Sequence, residues 1–297
     1  MMIQKSKENT IFNIVVTAFM ALFLFMMIYP LWYCLINAVS NATQVYYGNV
    51  IWLPKQMTMD NFVAVFREKS LVSGYLNTIF YTFMGTVIGI FVTFTAAYPL
   101  SRKDMFGRGL LMKIYLLPMF ISGGLVPTYI IVKGLGLYNS FWALILPGAV
   151  GVWNVVVVRT FMLTSIPGEL QESAMLDGAG NIRIFLSIIL PLSRPILAVM
   201  IMFHIVGYWN TYFNALIYLK DEAKFPIQLV LRKILIQNDI DSLISSGNVN
   251  ASILEQTMKA EAIKYAAIIV TIAPLLIIYP FFEKFFEKGM VVGSLKG

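Results

Sequence analysis

Long apolar runs dominate the chain, and polar segments interrupt them at intervals. Six of these runs are unbroken rather than alternating, and most reach the roughly 20 residues that a helix needs to cross a bilayer. They cover residues 11–36, 76–100, 110–132, 141–162, 196–219 and 264–282. Because continuous apolar runs favour helices over a barrel, the pattern predicts an all-α membrane protein with six transmembrane helices.

Composition supports this class of protein. Hydrophobic residues make up 59% of the chain, charged residues 12%, and the mean hydropathy is +0.76. A soluble domain cannot bury so large an apolar share, because its surface must stay polar. Lys and Arg outnumber Asp and Glu by 22 to 15, yet no basic cluster exceeds two residues, so we expect no nucleic-acid partner. The single cysteine, Cys34, excludes a disulfide within the chain.

The short loops predict the orientation, because basic residues are retained on the cytoplasmic side. The loop after the second run contains Arg102, Lys103 and Arg108, whereas the loop after the third run contains only Lys133. The first of these loops is therefore predicted to be cytoplasmic. With an even number of spans, both chain termini are expected on that side as well.

This orientation divides the chain into segments. The first run is much longer than the roughly 7–15 residues of a signal-peptide core, so it is interpreted as an uncleaved span. The predicted order begins with a cytoplasmic N-terminus at 1–10, the first transmembrane helix at 11–36 and an external loop at 37–75. A transmembrane core follows at 76–282, and a cytoplasmic tail at 283–297 ends the chain. The core includes a cytoplasmic elbow at 163–195 and an external loop at 220–263.

Proline and glycine interrupt the third and fourth runs. The third contains Pro118, Gly123, Gly124 and Pro127, and the fourth contains Pro147, Gly148 and Gly151. Such residues free backbone groups that neighbouring helices or a water-lined cavity must satisfy. The kinks fit a role in lining a pathway as well as a role in packing alone.

The elbow at 163–195 has the signals of two short helices joined by a turn. Ser165 and Pro167 favour a helix start, and Glu169 lies where the helix dipole favours negative charge. The turn is predicted at Asp177, Gly178 and Gly180, and the second helix is predicted to be capped by Asn181 and ended by Pro191. An amphipathic helix on lipid headgroups would favour Lys and Arg on its polar face, so acidic residues here favour a protein partner.

The elbow resembles the cytoplasmic signature of the membrane subunits of bacterial ABC importers. That signature is Glu-Ala-Ala, three residues, Gly, nine residues, Ile, one residue and Leu-Pro. It falls on Glu172, Ser173, Ala174, Gly178, Ile188, Leu190 and Pro191, with Ser173 as the one departure. The resemblance implies the type I ABC importer permease fold and a coupling helix that seats in an ATP-hydrolysing subunit. Its coupling residues would be Glu172, Ser173, Ala174, Asp177, Gly178, Ile188, Leu190 and Pro191.

Over the whole chain, the resemblance is to the smaller membrane subunit of maltose-type carbohydrate permeases. It includes "WN" followed by "ALIYL", the large outer segment and the tail "KGMVVGSLKG", and these forms look most like a branch associated with complex and uronide-containing oligosaccharides. The resemblance implies a heterodimer with a second permease subunit, two ATP-binding subunits that bind ATP and Mg, and an extracellular solute-binding lipoprotein. This chain would bind no cofactor and catalyse no reaction.

In that family, the segment before the last span meets the external binding protein. Here "PIQLVLRKILIQ" places Ile227, Val230, Leu231, Ile234 and Leu235 on one helical face. A docking helix for the binding protein is one interpretation. A helix that rests on the membrane surface is the other.

The fifth run suggests a path for the sugar. At a spacing of four residues, Tyr208 with Tyr212 and Asn210 with Asn214 would each share a helix face, as would Trp209 with Phe213. Aromatic rings suit sugar C–H groups, and amides suit hydroxyls. The same residue types also anchor helices at the membrane interface and hydrogen-bond between spans, so both interpretations stay open.

An ion-coupled secondary transporter of a small polar solute is the alternative function. It would need ionisable groups deep within the spans. Only His204 lies well inside a run, and we expect it to be a hydrogen-bonded packing residue; Lys113 and Arg159 lie near span ends. The sequence has none of the metalloprotease, serine hydrolase or phosphate-binding motifs, so neither an enzyme nor a metal site is predicted.

Overall fold

The computed structural model describes residues 7–245 and 251–294, and this part of the chain is helical without a strand. Its α-helices are α1 Lys7–Ala38, α2 Ala42–Tyr46, α3 Asp60–Arg67, α4 Lys69–Ser101, α5 Arg108–Phe120, α6 Leu125–Gly134, α7 Trp142–Ile145, α8 Val152–Ser165, α9 Gly168–Leu176, α10 Asn181–Ile184, α11 Leu190–Leu192, α12 Arg194–Trp209, α13 Phe213–Tyr218, α14 Ile227–Ser245 and α15 Ala251–Ser294. A π-helical turn, Phe185–Ile189, joins α10 to α11, and a 3₁₀ turn, Glu222–Lys224, precedes α14.

The helices form two units. The first unit contains α1 to α3 with the described part of residues 231–272. The second unit contains residues 69–230 with the part of α15 from Ala273 onward.

In the first unit, most of α1 is exposed and apolar, as expected for a helix that faces lipid. Its C-terminal end is packed, because Ile36 is buried together with Val45 and Ala262. The Asn61 side chain fastens α3 to this end by donating hydrogen bonds to the Ala38 and Ser40 carbonyls, each at 2.9 Å.

In the second unit, α4 packs along α12 and α8. The buried cluster at its C-terminal end consists of Phe94, Ala97, Tyr98, Leu100, Val155, Val158, Met162, Ile166, Ile184, Ile189, Ile196 and Met200. Nearer the N-terminal end of α4, Gly85 and Gly89 lie one turn apart, and a Cβ on either would come within 2.5 Å of the Tyr208 or His204 ring. This is the small-xxx-small arrangement that lets membrane helices approach closely.

Within the described residues, α1, α4 and α15 contain the stretches that are long and apolar enough to cross a membrane as single helices. Counting each of two bent helix pairs as one span raises the number from three to five. The all-helical membrane architecture is therefore confirmed, and the count of six spans stays a prediction.

The third predicted run, 110–132, is not one kinked helix. It divides into α5 and α6, which are bent by 115°. Residues 121–124 between them are not helical, and Gly124 has φ +81°, which favours glycine. Pro118 and Pro127 flank this break, one on each side.

The fourth and fifth predicted runs, 141–162 and 196–219, are also interrupted. Residues 146–151 separate α7 from α8, and residues 210–212 separate α12 from α13. At the second break, Asn210 Nδ2 donates to the Val206 carbonyl at 2.9 Å and the Thr211 hydroxyl donates to the Gly207 carbonyl at 3.1 Å. The Thr211 hydroxyl thus takes the place of the next helical N–H at the Gly207 carbonyl, whereas the Val206 carbonyl accepts both the side chain and the backbone N–H of Asn210.

Two helix boundaries also differ from the expectation. The second membrane helix, α4, begins at Lys69 rather than at 76, and α15 begins at Ala251 rather than at 264. Much of the segment 220–263 is therefore helical, and α14 contains the predicted docking sequence. Residues 246–250 and 295–297, including the end of the tail motif, lie outside the described part of the chain.

Candidate functional site

The elbow begins with α9 as its sequence predicts. Pro167 is the N-cap residue and Glu169 lies in the first turn. The turn after α9 is closed by backbone bonds from Gly178 N–H to the Met175 carbonyl at 3.0 Å and from Ala179 N–H to the Ala174 carbonyl at 2.9 Å. Gly178 has φ +79°, the left-handed conformation that commonly ends a helix and favours glycine.

The second half of the elbow corrects two expectations. Gly180, not Asn181, is the N-cap residue, and the Asn181 side chain makes no capping bond because Asn181 is already helical. The helical run continues past Pro191 to Leu192. Pro191 thus lies in the last turn of the continuous run Asn181–Leu192, shortly after the π-helical turn Phe185–Ile189.

The surface of the elbow combines acidic and apolar side chains. Leu176 is 90% exposed and Ile182 is 76% exposed. Among the predicted coupling residues, the exposed ones are Glu172, Ser173, Asp177, Gly178 and Pro191, and the half-buried ones are Ala174, Ile188 and Leu190. An exposed apolar surface of this kind, rimmed by charges, is typical of a protein docking site.

A buried arginine links the elbow to the end of α4. Arg102 is 8% exposed, and its guanidinium donates to both Asp104 carboxylate oxygens at 2.8 and 2.6 Å and to the Tyr98 hydroxyl at 3.0 Å. Its Nη2 also lies 3.4 Å from Met175 Sδ of α9. The hydrogen bond from Arg102 lowers the pKa of Asp104, and the same bond raises the pKa of Arg102. Sequence analysis used Arg102 only as a topology signal and missed these contacts.

The candidate residues of the sugar path do not share helix faces as predicted, because the break at 210–212 separates them. These candidates are Tyr208, Trp209, Asn210, Tyr212 and Asn214. Tyr208 is buried and donates from its hydroxyl to the Ile145 carbonyl at 3.1 Å, and the buried Trp209 ring packs edge-on against Tyr75 at 5.6 Å. The exposed residues are Asn210, Tyr212 and Asn214. Only these last three therefore offer free surface to a sugar.

A cavity of about 840 Å³ lies in the second unit against α4 and α12. Its walls are mostly aliphatic and aromatic, including Trp209, and the lining residues with a hydroxyl group are Tyr75, Thr82, Thr86 and Thr95; the hydroxyls of Thr82 and Thr86 are buried. Neither of these buried hydroxyls has a hydrogen-bond partner among the described residues. The walls suit an apolar helix or lipid chain better than a sugar, which needs many hydrogen-bond partners.

His204 is buried in the helix interface, as its packing role predicts. Its ring stacks on Tyr208 at 6.1 Å and lies over Gly89. The expected hydrogen bond is missing at Nε2, which has no partner within the described part of the chain. Over that same part, no group of three or more His, Cys, Asp or Glu residues could hold a metal ion.

Broken apolar helices beside a wide cavity, with an exposed elbow of acidic and apolar residues, define a membrane transport subunit that docks a partner protein. The chain belongs to the family of binding-protein-dependent transport system inner membrane components, whose model matches residues 85–292. The family resemblance of the sequence is thereby confirmed.

Curated relatives and a solved structure agree with this membership. Protein LplC of Bacillus subtilis is 39% identical over 91% of this chain and 90% of its own length. The polygalacturonan/rhamnogalacturonan transport system permease protein YtcP of the same species is 37% identical over 98% of this chain and 100% of its own. The crystal structure of a bacterial ABC transporter involved in the import of the acidic polysaccharide alginate matches with a TM-score of 0.84 and 28% identity, covering 95% of this chain and 98% of that one.

The chain is thus a permease subunit of a bacterial ABC importer and a multi-pass protein of the cell membrane. It is a non-catalytic component. The membership sets aside the ion-coupled transporter as an alternative.

Proposed function

We propose that this chain is one of two different permease subunits of an importer for oligosaccharides, and that residues 169–191 couple it to two ATP-binding subunits. In this proposal an extracellular solute-binding lipoprotein delivers the sugar. ATP and Mg are bound by the ATPase subunits, which supply the chemistry of hydrolysis, and this chain contributes the moving helices.

The observation that carries the proposal is the exposed elbow. Leu176 and Ile182 are large, apolar and open on a segment where the sequence signature and the acidic residues Glu172 and Asp177 coincide. Apolar side chains outside the spans gain free energy when a partner covers them, and the acids can pair with basic groups of that partner. The short α9 would move as one piece when the partner moves.

We propose a membrane orientation for the chain from the positive-inside pattern. The elbow and the loop with Lys103 are cytoplasmic, as are both termini, so α14 lies at the outer side. Within α14, Ile227, Leu229 and Val230 are buried, and they fasten the start of the helix to its own unit. The residues of α14 that follow Leu231 belong to the first unit, and we propose them as the docking helix for the binding protein.

The sugar path is proposed along the break at 210–212. Asn210 and Asn214 present amides, and Tyr212 presents a ring that is 45% exposed. Broken helices at membrane depth supply free backbone groups that can bind polar cargo. Tyr208 and Trp209 hold the helices around this path, and the apolar cavity suits helices of the second permease subunit.

An acidic oligosaccharide is the proposed substrate class. Two similar proteins support this class. YtcP is named for polygalacturonan and rhamnogalacturonan transport, and the transporter in the matched crystal structure is involved in the import of the acidic polysaccharide alginate. Uptake of labelled oligogalacturonides by cells that carry or lack this chain, with a neutral oligosaccharide in parallel, tests the class. Uptake of only the neutral sugar would exclude it.

The coupling role is tested by Gly178→Val in the complex purified through a tag on this chain. A β-branched residue is strongly disfavoured at φ +79°, so the turn after α9 must change its path. We expect sugar uptake to fall about tenfold while ATP hydrolysis continues, as for a coupling defect.

Gly180→Val is the matched control for added bulk in the same turn. Gly180 has φ −73°, which valine adopts without strain, and a Cβ there meets nothing within 4 Å. Uptake should therefore stay close to that of the parent chain. Normal uptake by the Gly178→Val complex, at normal assembly with the ATPase subunits, would refute the coupling role.

A further inference from the structure

Arg102 is an unusually well-held charge at the inner end of α4. Its side chain is 7% exposed, whereas that of Asp104 is 64% exposed. Both carboxylate oxygens receive an N–H from the guanidinium, and the Tyr98 hydroxyl receives a third. A planar fork bound at three points has a fixed orientation, which a flexible lysine ammonium could not reproduce.

The fixed guanidinium reaches from α4 to the elbow helix. Its Nη2 lies 3.4 Å from the Met175 sulfur, and Ala174, on the same helix, packs against the buried cluster that includes Tyr98. The backbone around Arg102 is held as well, since Arg108 Nη1 donates to the Arg102 carbonyl at 3.1 Å. The elbow helix is thus fastened to the end of α4 by one polar and one apolar contact.

The outer end of α4 is fastened to the segment that leads into α14. Asn77 Nδ2 donates to the Ala223 carbonyl at 2.7 Å, and the Tyr81 hydroxyl donates to the Lys224 carbonyl at 2.8 Å. The Ile227 N–H donates to the Thr78 hydroxyl at 2.8 Å. All these residues belong to the second unit.

These two attachments are connected by α4, which is one helix of 33 residues and about 50 Å long over its whole length. A helix of this length, hydrogen-bonded along its backbone, carries a displacement from one end to the other. We infer that Arg102 is a positioning residue that fastens the elbow to α4, so that α4 transmits movement between the ATPase side and the segment before α14. The inference rests on the proposed coupling role of the elbow and assigns the route by which the movement leaves it.

The experiment uses two spin labels on the chain within its purified complex in nanodiscs. Cys34 is the one cysteine of the sequence, so Cys34→Ser gives a clean background. The labels are placed at Leu76 on α4, which is 63% exposed, and at Gly168 at the start of α9, which is exposed and where a Cβ would meet nothing within 4 Å. Pulsed electron resonance gives the distance distribution between the labels without nucleotide and with Mg-ATP.

Arg102→Gln removes the charge and the fork. We expect the nucleotide-free distribution to become about twice as wide. In proteoliposomes that contain the same complex, we expect ATP-driven sugar uptake per ATP hydrolysed to fall about tenfold, the effect of losing a charged hydrogen bond. Arg102→Lys, which keeps the charge without the fork, should be intermediate in both readouts. If only the positive charge mattered, Arg102→Lys would have the same distribution width and the same uptake per ATP hydrolysed as the parent.

Milder and matched variants complete the test. Asp104→Asn keeps the volume of an exposed side chain and should still widen the distribution, so the inference is testable even where Arg102→Gln fails to assemble. Lys113→Gln removes one charge from the exposed surface of α5 and should leave the distribution unchanged. Parental widths for both Arg102→Gln and Asp104→Asn would overturn the inference.

The two proposals fail in different ways. Where Mg-ATP does not move the labels in the parent complex, the coupling role of the elbow is wrong. The nucleotide-free width still reports whether Arg102 fastens α9 to α4, because that comparison involves no ATPase activity.

Discussion

The close approach of α4 and α12 makes Gly85 the most sensitive position of the helix interface. A Cβ at Gly85 would lie 2.5 Å from two ring atoms of Tyr208 and 2.7 Å from a third. Ordinary carbon–carbon contacts are about 3.5–4.0 Å, so Gly85→Ala creates an overlap of about 1 Å. The ring cannot simply turn away, since its hydroxyl bonds to the Ile145 carbonyl at 3.1 Å and its face stacks on His204.

The magnitude follows from this geometry. Forcing one extra methyl group into a packed core costs about 1–3 kcal/mol in the free energy of unfolding. Gly207→Ala is the matched control on α12, because a Cβ there meets nothing within 4 Å. Replacing a helical glycine by alanine without a clash stabilises by about 0.5–1 kcal/mol. The two alanine variants should therefore differ by roughly 1.5–4 kcal/mol, with opposite signs relative to the parent.

The assay is equilibrium unfolding of the detergent-solubilised chain in a series of denaturant concentrations, followed by tryptophan fluorescence and by circular dichroism. Gly85→Ala should unfold at lower denaturant than the parent chain, and Gly207→Ala at equal or higher denaturant. Equal stability of Gly85→Ala and Gly207→Ala would refute the close contact between Gly85 and the Tyr208 ring.

Three further predictions concern single hydrogen-bonding groups. Tyr208→Phe leaves the Ile145 carbonyl without its donor and should lower the free energy of unfolding by about 1–2 kcal/mol in the same titration. Asn139→Ala should lower the free energy of unfolding by about 1–3 kcal/mol, because the Asn139 side chain accepts hydrogen bonds from two backbone N–H groups and the residue has φ +57°. Asn139→Gly should lower it by less, since glycine tolerates that φ. The hydrogen bond from Arg102 lowers the pKa of Asp104. The stability that this ion pair contributes is therefore present above the ordinary carboxyl pKa of about 4 and is lost as the pH falls below it. The label distance distribution should therefore be the same at pH 5 and pH 8, and widening at pH 5 would contradict this sign.

The elbow could be predicted from the sequence because its signals are local. An acidic first turn and a glycine with a left-handed conformation act within a few residues of chain, and the structure has both at Glu169 and Gly178. The details that failed, the cap at Asn181 and the end at Pro191, depend on one residue of register. Helix boundaries depend on small differences in free energy. A sequence pattern therefore predicts the presence of a helix more accurately than the residues at its ends.

The interrupted spans could not be predicted in the same way. Hydropathy indicates whether a segment prefers lipid. It does not indicate local hydrogen bonds such as the one from the Asn210 side chain to the Val206 carbonyl. The spacing of four that suggested shared faces for Tyr208 and Tyr212 assumed a helix that continues past Trp209, where α12 ends. A signal that was available is the pair Gly85 and Gly89, whose spacing marks a close helix contact.

Basic residues near the end of α4 act as packing groups as well as topology signals. The last carbonyls of α4 lack partners within the helix and carry the negative end of its dipole. Arg159 Nε donates to the Leu100 carbonyl at 2.9 Å, and Arg108 donates to that of Arg102. Arg108, from the loop predicted to be cytoplasmic, and Arg159 of α8 thus both bind carbonyls at the end of α4. An exchange of such an arginine for lysine would preserve the orientation of the chain and still weaken the end of α4, because the geometry of the guanidinium is part of the contact.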